Sequence, residues 1–170
     1  FLNRSRIIAR PDEVEAMEVA DLGFGELSQT GLQILTMVNT DAIGVKVLVL
    51  FPEQTFAQHR HPPLGDYLGK EETIRCQWGE LRLYVPGPAT PNPVGRLPAH
   101  RRRYYTVAHE IILHPGEQYT VPPNTWHWFQ AGPEGAVVWS FSPRATDVQD
   151  QFADPDVVRA TVFVDCRKCI

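Results

Sequence analysis

Prolines and glycines interrupt this chain so often that long helices have little room to form. Its 170 residues include 15 prolines and 12 glycines, and the runs between them are short and rich in Val, Ile, Thr and aromatic residues. Such runs, separated by turn residues, are typical of antiparallel β-strands. Many short strands in a chain of this length predict an all-β fold, either a sandwich or a barrel.

The expected elements can be placed along the chain. A helix is predicted over residues 11–20, because Pro11 and the two acids after it suit a first helical turn and Gly23 would end the helix. The Gly79-Glu80 pair is expected to form a hairpin turn. The proline-rich residues 86–100 are expected to form an excursion between two halves of the barrel. Strands are predicted at residues 31–38, 43–51, 72–78, 81–85, 106–113, 126–129, 135–141 and 161–165.

Length, charge and cysteine content restrict the class of protein. One domain is expected, with a helical N-terminal extension over residues 1–30, a β-barrel core over 31–145 and a C-terminal segment over 146–170. The net charge of −4 does not favour nucleic acid or anionic membranes as partners, and no apolar run approaches the roughly 20 residues of a membrane span. The three cysteines do not form a disulfide framework, and the polar residues 1–6 do not resemble a signal peptide. A cytoplasmic protein with no nucleic-acid or membrane partner is therefore expected.

Histidines and one glutamate give the first indication of a site. His59 and His61 lie two residues apart, so in a strand their imidazoles project from the same face, where one metal ion can use both. With six histidines in the chain, one such pair can also arise by chance. Glu72 begins the next strand-like run, and a turn at residues 122–124 leads into a strand that contains His127.

The spacing of these residues resembles the cupin superfamily. The first cupin motif is a His-x-His pair, then a Glu, then six residues and a Gly, and this chain matches it with His59, His61, Glu72 and Gly79. Ten residues separate His61 from Glu72, whereas three or four are usual in the family, so the chain carries an insertion at this point.

The second cupin motif lies further along the chain. It is a Gly, five residues, Pro-x-Gly, two residues and a His, and the chain has Gly116, Pro122, Asn124 and His127 at these intervals. Asn124 replaces a glycine, and asparagine tolerates the positive φ that such a turn often needs. Ala131 stands where the family usually has an asparagine.

The resemblance implies a cupin fold, which is a jelly-roll-like β-barrel, here with a short N-terminal helix. It also implies one divalent metal per chain, held by His59, His61, Glu72 and His127. A relic cupin whose site no longer binds metal is the alternative. Three imidazoles and one carboxylate suit Mn, Co, Fe, Ni or Zn, and they leave two adjacent octahedral positions open for a substrate.

Within the cupins, the chain resembles the D-lyxose isomerases. The inserted residues 65–73 and the flanking runs 58–62 and 78–84 are the most specific part of this resemblance, which continues through residues 115–120 and 125–129. It implies a small-molecule sugar substrate, with interconversion of D-lyxose and D-xylulose and often of D-mannose and D-fructose. Mn²⁺ as the cofactor and a homodimer are further implications of the resemblance.

Proton transfer between C2 and C1 of the sugar needs a group that carries the proton, unless a metal-assisted hydride shift takes its place. Strand alternation places Lys70 on the same side as Glu72, so Lys70 is the candidate proton donor or clamp on the sugar oxygens, with a solvated lysine as the alternative. Family members pair such a lysine with an acid near the C-terminus, which implies Asp165 as the second catalytic residue. Three other acids are alternatives: Asp150, Glu117 and Glu71.

Three other functions share these features. Some cupin dioxygenases use the same three-His, one-Glu ligand set, although the polar insertion with Asp66, Lys70 and Glu71 favours a polyol over an apolar substrate. A sugar-phosphate isomerase would be indicated if the basic residues 101–103 faced the pocket. A sugar-binding cupin without turnover is the remaining alternative.

Overall fold

The computed structural model of the protein describes residues 1–159 and consists mainly of antiparallel strands. Its helix α1 spans Pro11–Glu15. Nine strands lie within the described residues: β1 (Glu18–Ala20), β2 (Leu32–Asn39), β3 (Gly44–Leu50), β4 (Thr55–Arg60), β5 (Glu72–Val85), β6 (His109–Leu113), β7 (Gln118–Val121), β8 (His127–Ser142) and β9 (Gln151–Phe152). Two 3₁₀ turns, Ala99–Tyr104 and Asp147–Gln149, lie in the connections.

The long strand β8 connects the parts of a curled sheet. It pairs with β3 and β4 along one edge and with β5 along the other. The strand order is β1-β2-β3-β8-β4-β9, and β5 also pairs with β6 and β7. The prediction of an all-β fold with a short N-terminal helix is confirmed.

Alternate residues of the strands fill the interior of the curled sheet. A strand turns successive side chains to opposite faces, so the interior face of β5 includes Ile74 and Cys76, both buried in the core. Glu72 lies two residues before Ile74, so it shares that face. The apolar core therefore continues directly into the region where the candidate metal ligands lie.

Helix α1 ends at Glu15, earlier than predicted. The residues Glu18–Ala20 form β1 instead and pair with β2, with Val19 opposite Gln33. Ala20 is fully buried in the core. Pairing and burial outweigh the weak local preference for helix, because propensity is easily overridden by tertiary contacts.

The predicted hairpin at Gly79-Glu80 is wrong, because β5 runs through from Glu72 to Val85. Its register against β8 shifts between Gly79 and Leu81, which marks a β-bulge. Gly79 has a φ of 76° and packs against the backbone of Gly135. On the N-terminal side of the bulge β5 pairs with β7, and on its C-terminal side β5 pairs with β6.

Other expectations differ in detail. The strands predicted at 126–129 and 135–141 are one strand, β8, and β6 begins later than predicted, at His109. The strand predicted at 161–165 lies outside the described residues. In the described part of the chain, no helix has the length and apolar character needed to cross a bilayer.

We expect Gly79→Ala to lower the free energy of unfolding by about 2 kcal/mol or more, because an added Cβ would collide with the Gly135 carbonyl oxygen at a positive φ. Gly25→Ala is the matched control, since Gly25 also has a positive φ but no atom within 4 Å of the added Cβ. The control should cost about 1 kcal/mol. Urea denaturation measures both values, and equal costs would contradict a close backbone contact at the bulge.

Candidate metal centre

Three histidines and one glutamate meet inside the barrel. β4 carries His59 and β8 carries His127, and these residues are direct partners in the antiparallel ladder. His61 follows the end of β4, and Glu72 is the first residue of β5. The ligand atoms of the four residues lie within 4.8 Å of one another, and all four residues are buried. The structure thus brings together the four predicted metal ligands.

Hydrogen bonds direct the Nε2 atoms of two imidazoles into this cluster. His59 Nδ1 lies 3.0 Å from the Ala57 carbonyl oxygen, and His127 Nδ1 lies 2.9 Å from the Thr125 carbonyl oxygen. A carbonyl oxygen can only accept, so each Nδ1 donates and each Nε2 presents a lone pair. His127 Nε2 is buried without a hydrogen-bond partner in the described part of the chain. Because such a group is costly to bury, a bound cation would relieve it.

Burial and local charge set the protonation of three ligands. Burial, His127 and His61 hold the pKa of His59 well below its usual range. Burial and His61 lower the pKa of His127 to about 4. Burial opposes ionisation of Glu72, but Lys70 and the neighbouring histidines outweigh it and hold the pKa of this carboxyl well below its usual range. At neutral pH these imidazoles are neutral and the carboxyl is charged, which are the forms that bind a metal.

His61 differs because it lies between two acids. Its Nε2 is 3.0 Å from Glu72 Oε2, and its Nδ1 is 2.7 Å from Asp150 Oδ1. Burial opposes the charge of this imidazole, but Asp150 and Glu72 outweigh it and raise the pKa of His61. A metal ion in the cluster would take the place of the Nε2 proton, while Nδ1 would keep its hydrogen bond.

A network of buried ion pairs adjoins the cluster. Lys70 Nζ lies 2.9 Å from Asp147 Oδ1 and 3.5 Å from Glu72 Oε1, so Lys70 is on the same side as Glu72, as strand alternation predicted. Lys46 forms a second ion pair with Asp147. Ser140 donates a hydrogen bond to Glu72 Oε1. Glu72 Oε1 therefore contacts both Lys70 and Ser140, while Oε2 contacts His61.

Asp147 and Lys46 are residues of this site that the sequence analysis missed. Asp147 lies in the 3₁₀ turn after β8, and Lys46 lies on β3, so the two meet only through the fold. No motif surrounds Asp147. The signal available for Lys46 was a single lysine in an otherwise apolar strand that reaches the core.

These groups line a small cavity of about 30 Å³ beside the candidate ligands. One part of its lining is charged and consists of Lys46, Lys70, Asp147, Asp150 and Arg159. Another part is apolar and consists of Leu32, Ile34, Leu48, Phe56 and Phe129. Charged and apolar walls together suit a molecule that carries both hydroxyl groups and C–H faces.

The other acids considered from the sequence lie in different places. Asp165 lies outside the described residues. Glu71 and Glu117 are exposed, and neither lines the cavity. Asp150 lies at the cluster, where it contacts His61.

The fold is similar to solved structures of sugar isomerases and cupins. The L-ribose isomerase of Cellulomonas parahominis matches with a TM-score of 0.76 and 15% identity, over 91% of this chain and 87% of that one. The Geodermatophilus obscurus L-ribose isomerase matches at 0.70 and 17%, over 96% and 86%. An RmlC-like cupin from Shewanella frigidimarina matches at 0.50 and 16%, over 79% and 89%. The fold and the four-residue cluster define a cupin.

Sequence relatives narrow the class further, although no protein-family model matches the chain. The D-lyxose ketol-isomerase of Thermofilum sp. is 55% identical over 164 residues, covering 96% of this chain and 91% of the relative. The D-lyxose/D-mannose isomerase of Thermosediminibacter oceani is 54% identical over 164 residues, with the same coverage. The D-lyxose ketol-isomerase of Cohnella laeviribosi is 50% identical over 163 residues, covering 96% and 90%. The chain therefore belongs to the D-lyxose ketol-isomerase family of sugar isomerases.

We expect His127→Ala to weaken Mn²⁺ binding by more than the roughly 10–100-fold that loss of an outer hydrogen-bond partner costs a metal site, because it removes a ligand itself. His114→Ala is the control, since His114 is exposed and lies outside the cluster. Isothermal titration calorimetry of chelator-treated protein measures both affinities. Full Mn²⁺ affinity in the His127 variant would show that the metal binds elsewhere.

Proposed function

We propose that this protein interconverts D-lyxose with D-xylulose, and D-mannose with D-fructose, at one Mn²⁺ ion held by His59, His61, Glu72 and His127. The observation that supports this best is the buried three-His, one-Glu cluster beside the Lys70–Asp147 ion pair. The names of the relatives support the choice of sugars, and one of them is a D-lyxose/D-mannose isomerase. By its family resemblance, we also expect a homodimer in the cytoplasm.

The donor set supports a divalent ion but does not select one. Three imidazole nitrogens and a carboxylate oxygen suit Mn, Co, Fe, Ni or Zn, so the choice of Mn²⁺ rests on the resemblance to the family. When bound, the ion would supply a Lewis acid that polarises the sugar carbonyl and stabilises negative charge on oxygen.

Lys70 is suited to donate a proton to a sugar oxygen. Its side chain is only 3% exposed. Burial opposes its charge, but Glu72, Asp147 and Asp150 outweigh burial and raise the pKa of Lys70 above its ordinary value. Because the raised pKa keeps Lys70 charged, its ammonium can hold O1 or O2 by hydrogen bonds and donates its proton to an oxygen that has gained negative charge.

Asp147 is the described acid best placed to work with Lys70. Burial opposes its ionisation, but Lys70 and Lys46 outweigh burial and hold the pKa of Asp147 below its ordinary value, so it is a carboxylate at neutral pH. In the proposed reaction, Lys70 donates a proton to O1 and regains one from O2, while Asp147, whose two oxygens accept from Lys70 and Lys46, holds Lys70 in place. Asp165 stays a prediction for the base that moves the proton from C2 to C1.

The competing functions have less support. Arg101 pairs with Asp154 at 2.6 Å, and residues 101–103 do not line the cavity, so a phosphate-binding role is not favoured. The charged wall of the cavity is unlike the apolar pocket that a dioxygenase of aromatic substrates requires. Membership of an isomerase family argues against a cupin without turnover.

We expect chelator-treated protein to form no ketose and to regain activity with added Mn²⁺. D-xylulose formation from D-lyxose, with D-mannose tested in parallel, measures this directly. No ketose from either sugar with any divalent ion, in folded protein that binds metal, would refute the proposal and call for oxygen-uptake assays.

Lys70→Met should retain Mn²⁺ but lower kcat by about 100-fold or more, because the proton donor is lost while much of the side-chain volume remains. Glu71→Gln is the matched control, since this neighbouring residue is exposed. Metal content by mass spectrometry and kcat are both measured. Wild-type turnover in the Lys70 variant would mean that this lysine has no catalytic role.

Proton transfer through solvent-exchangeable groups predicts deuterium at C1 of the D-xylulose formed from D-lyxose in D₂O. The group that takes the C2 proton can exchange it with water while the enediol persists, and it then returns a deuteron to C1. Proton NMR of the product measures incorporation at C1. A product without deuterium would favour the hydride shift, in which hydrogen never leaves the sugar.

A further inference from the structure

The three candidate histidine ligands are held in two different ways. His59 and His127 each donate from Nδ1 to a carbonyl oxygen two residues earlier in the chain, so local backbone fixes their rings. His61 lies beyond the last residue of β4 and donates from Nδ1 to the side chain of Asp150, 89 residues further along the chain. The orientation of His61 therefore depends on a distant segment.

Asp150 is itself held in place on its other oxygen. Its side chain is only 3% exposed, and Oδ2 accepts a hydrogen bond from Arg159 at 3.2 Å. Arg159 also forms an ion pair with Glu18 of β1 at 3.1 Å. A continuous chain of charged groups thus runs from β1 through Arg159 and Asp150 to the His61 ring.

These contacts indicate that Asp150 orients His61 and does not transfer a proton to the sugar. Oδ1 is taken by His61 and Oδ2 by Arg159, so neither oxygen is left to accept a proton from C2. A carboxylate that accepts from the outer nitrogen of a metal-binding histidine fixes the ring and makes the inner nitrogen a stronger donor. Loss of such a partner typically costs 10–100-fold in metal affinity.

We propose that Asp150 is a positioning residue that sets the metal affinity of the site through His61, and that Arg159 holds Asp150 for this task. The inference rests on the proposed metal site. It also accounts for the buried acid at residue 150 without giving it a role in the chemical step.

The test compares Mn²⁺ affinity of chelator-treated variants by isothermal titration calorimetry. Asp150→Ala should weaken binding about 10–100-fold. Asp150→Asn should lose less, because its amide oxygen still accepts the Nδ1–H bond but carries no charge. At saturating Mn²⁺, turnover should return in both variants, because excess ion compensates for weaker binding and a positioning residue takes no part in the proton transfer.

Asp154→Asn is the matched control. Asp154 lies four residues further on, is 4% exposed and pairs with Arg101, but it contacts none of the four candidate ligands. Its Mn²⁺ affinity should stay within about twofold of the wild type, because the effect of an outer partner acts through a ligand. Metal-free melting temperatures of the variants separate a general loss of stability from a loss specific to the metal site.

Each outcome distinguishes the two proposals. If the wild type binds no divalent ion, the proposed function fails and this inference with it. If the wild type binds Mn²⁺ and Asp150→Ala binds it equally well, only the inference fails. If Asp150→Ala keeps full Mn²⁺ but has no turnover, Asp150 is a catalytic acid and the positioning role is wrong.

Should Asp150→Ala not fold, Asp150→Asn and Arg159→Gln carry the same comparison, and wild-type affinity in both would overturn the inference.

Discussion

The direct pairing of His59 with His127 between β4 and β8 is the contact on which the site depends. Side chains alternate between the two faces of a strand, so a slip of one residue in this ladder would turn one imidazole out of the barrel. The apolar residues around the pair fix the register. Phe56 stacks on Phe129 with ring centroids 5.4 Å apart, in the same two strands. The packing of the core and the geometry of the site are therefore specified together.

Charge balance is the second requirement of this interior. The cavity wall contains three cations and three acids, apart from the histidines. An unpaired buried charge is costly, so each ionised group needs a partner nearby. Asp147 between Lys46 and Lys70, and Asp150 between His61 and Arg159, satisfy this requirement. The barrel can therefore bury a polar site, because each ionic group lies next to a group of opposite charge.

The three-His, one-Glu cluster was predictable from the sequence, because the spacing of His59, His61, Glu72 and His127 matches a known pattern. Lys70 was predictable as well, since strand alternation relates it to Glu72 two residues away. Asp147 and Lys46 were not, because they are 101 residues apart and only the folded barrel brings them together. The same limit applies to the fold. Gly79 signals a break in a strand, but only the approach of Gly135 makes that break a bulge and not a turn.

The cavity beside the cluster is small, about 30 Å³, although this is more than one water molecule needs. A sugar is larger than this cavity, so on binding it would contact the charged side chains of the wall directly. The lysines and acids of the wall would then exchange their mutual ion pairs for the hydroxyl groups of the sugar. The hydroxyl groups of the sugar would then hydrogen-bond to charges that the protein now pairs with one another. A ligand with too few hydroxyl groups would leave some of these buried charges without a partner, which is costly.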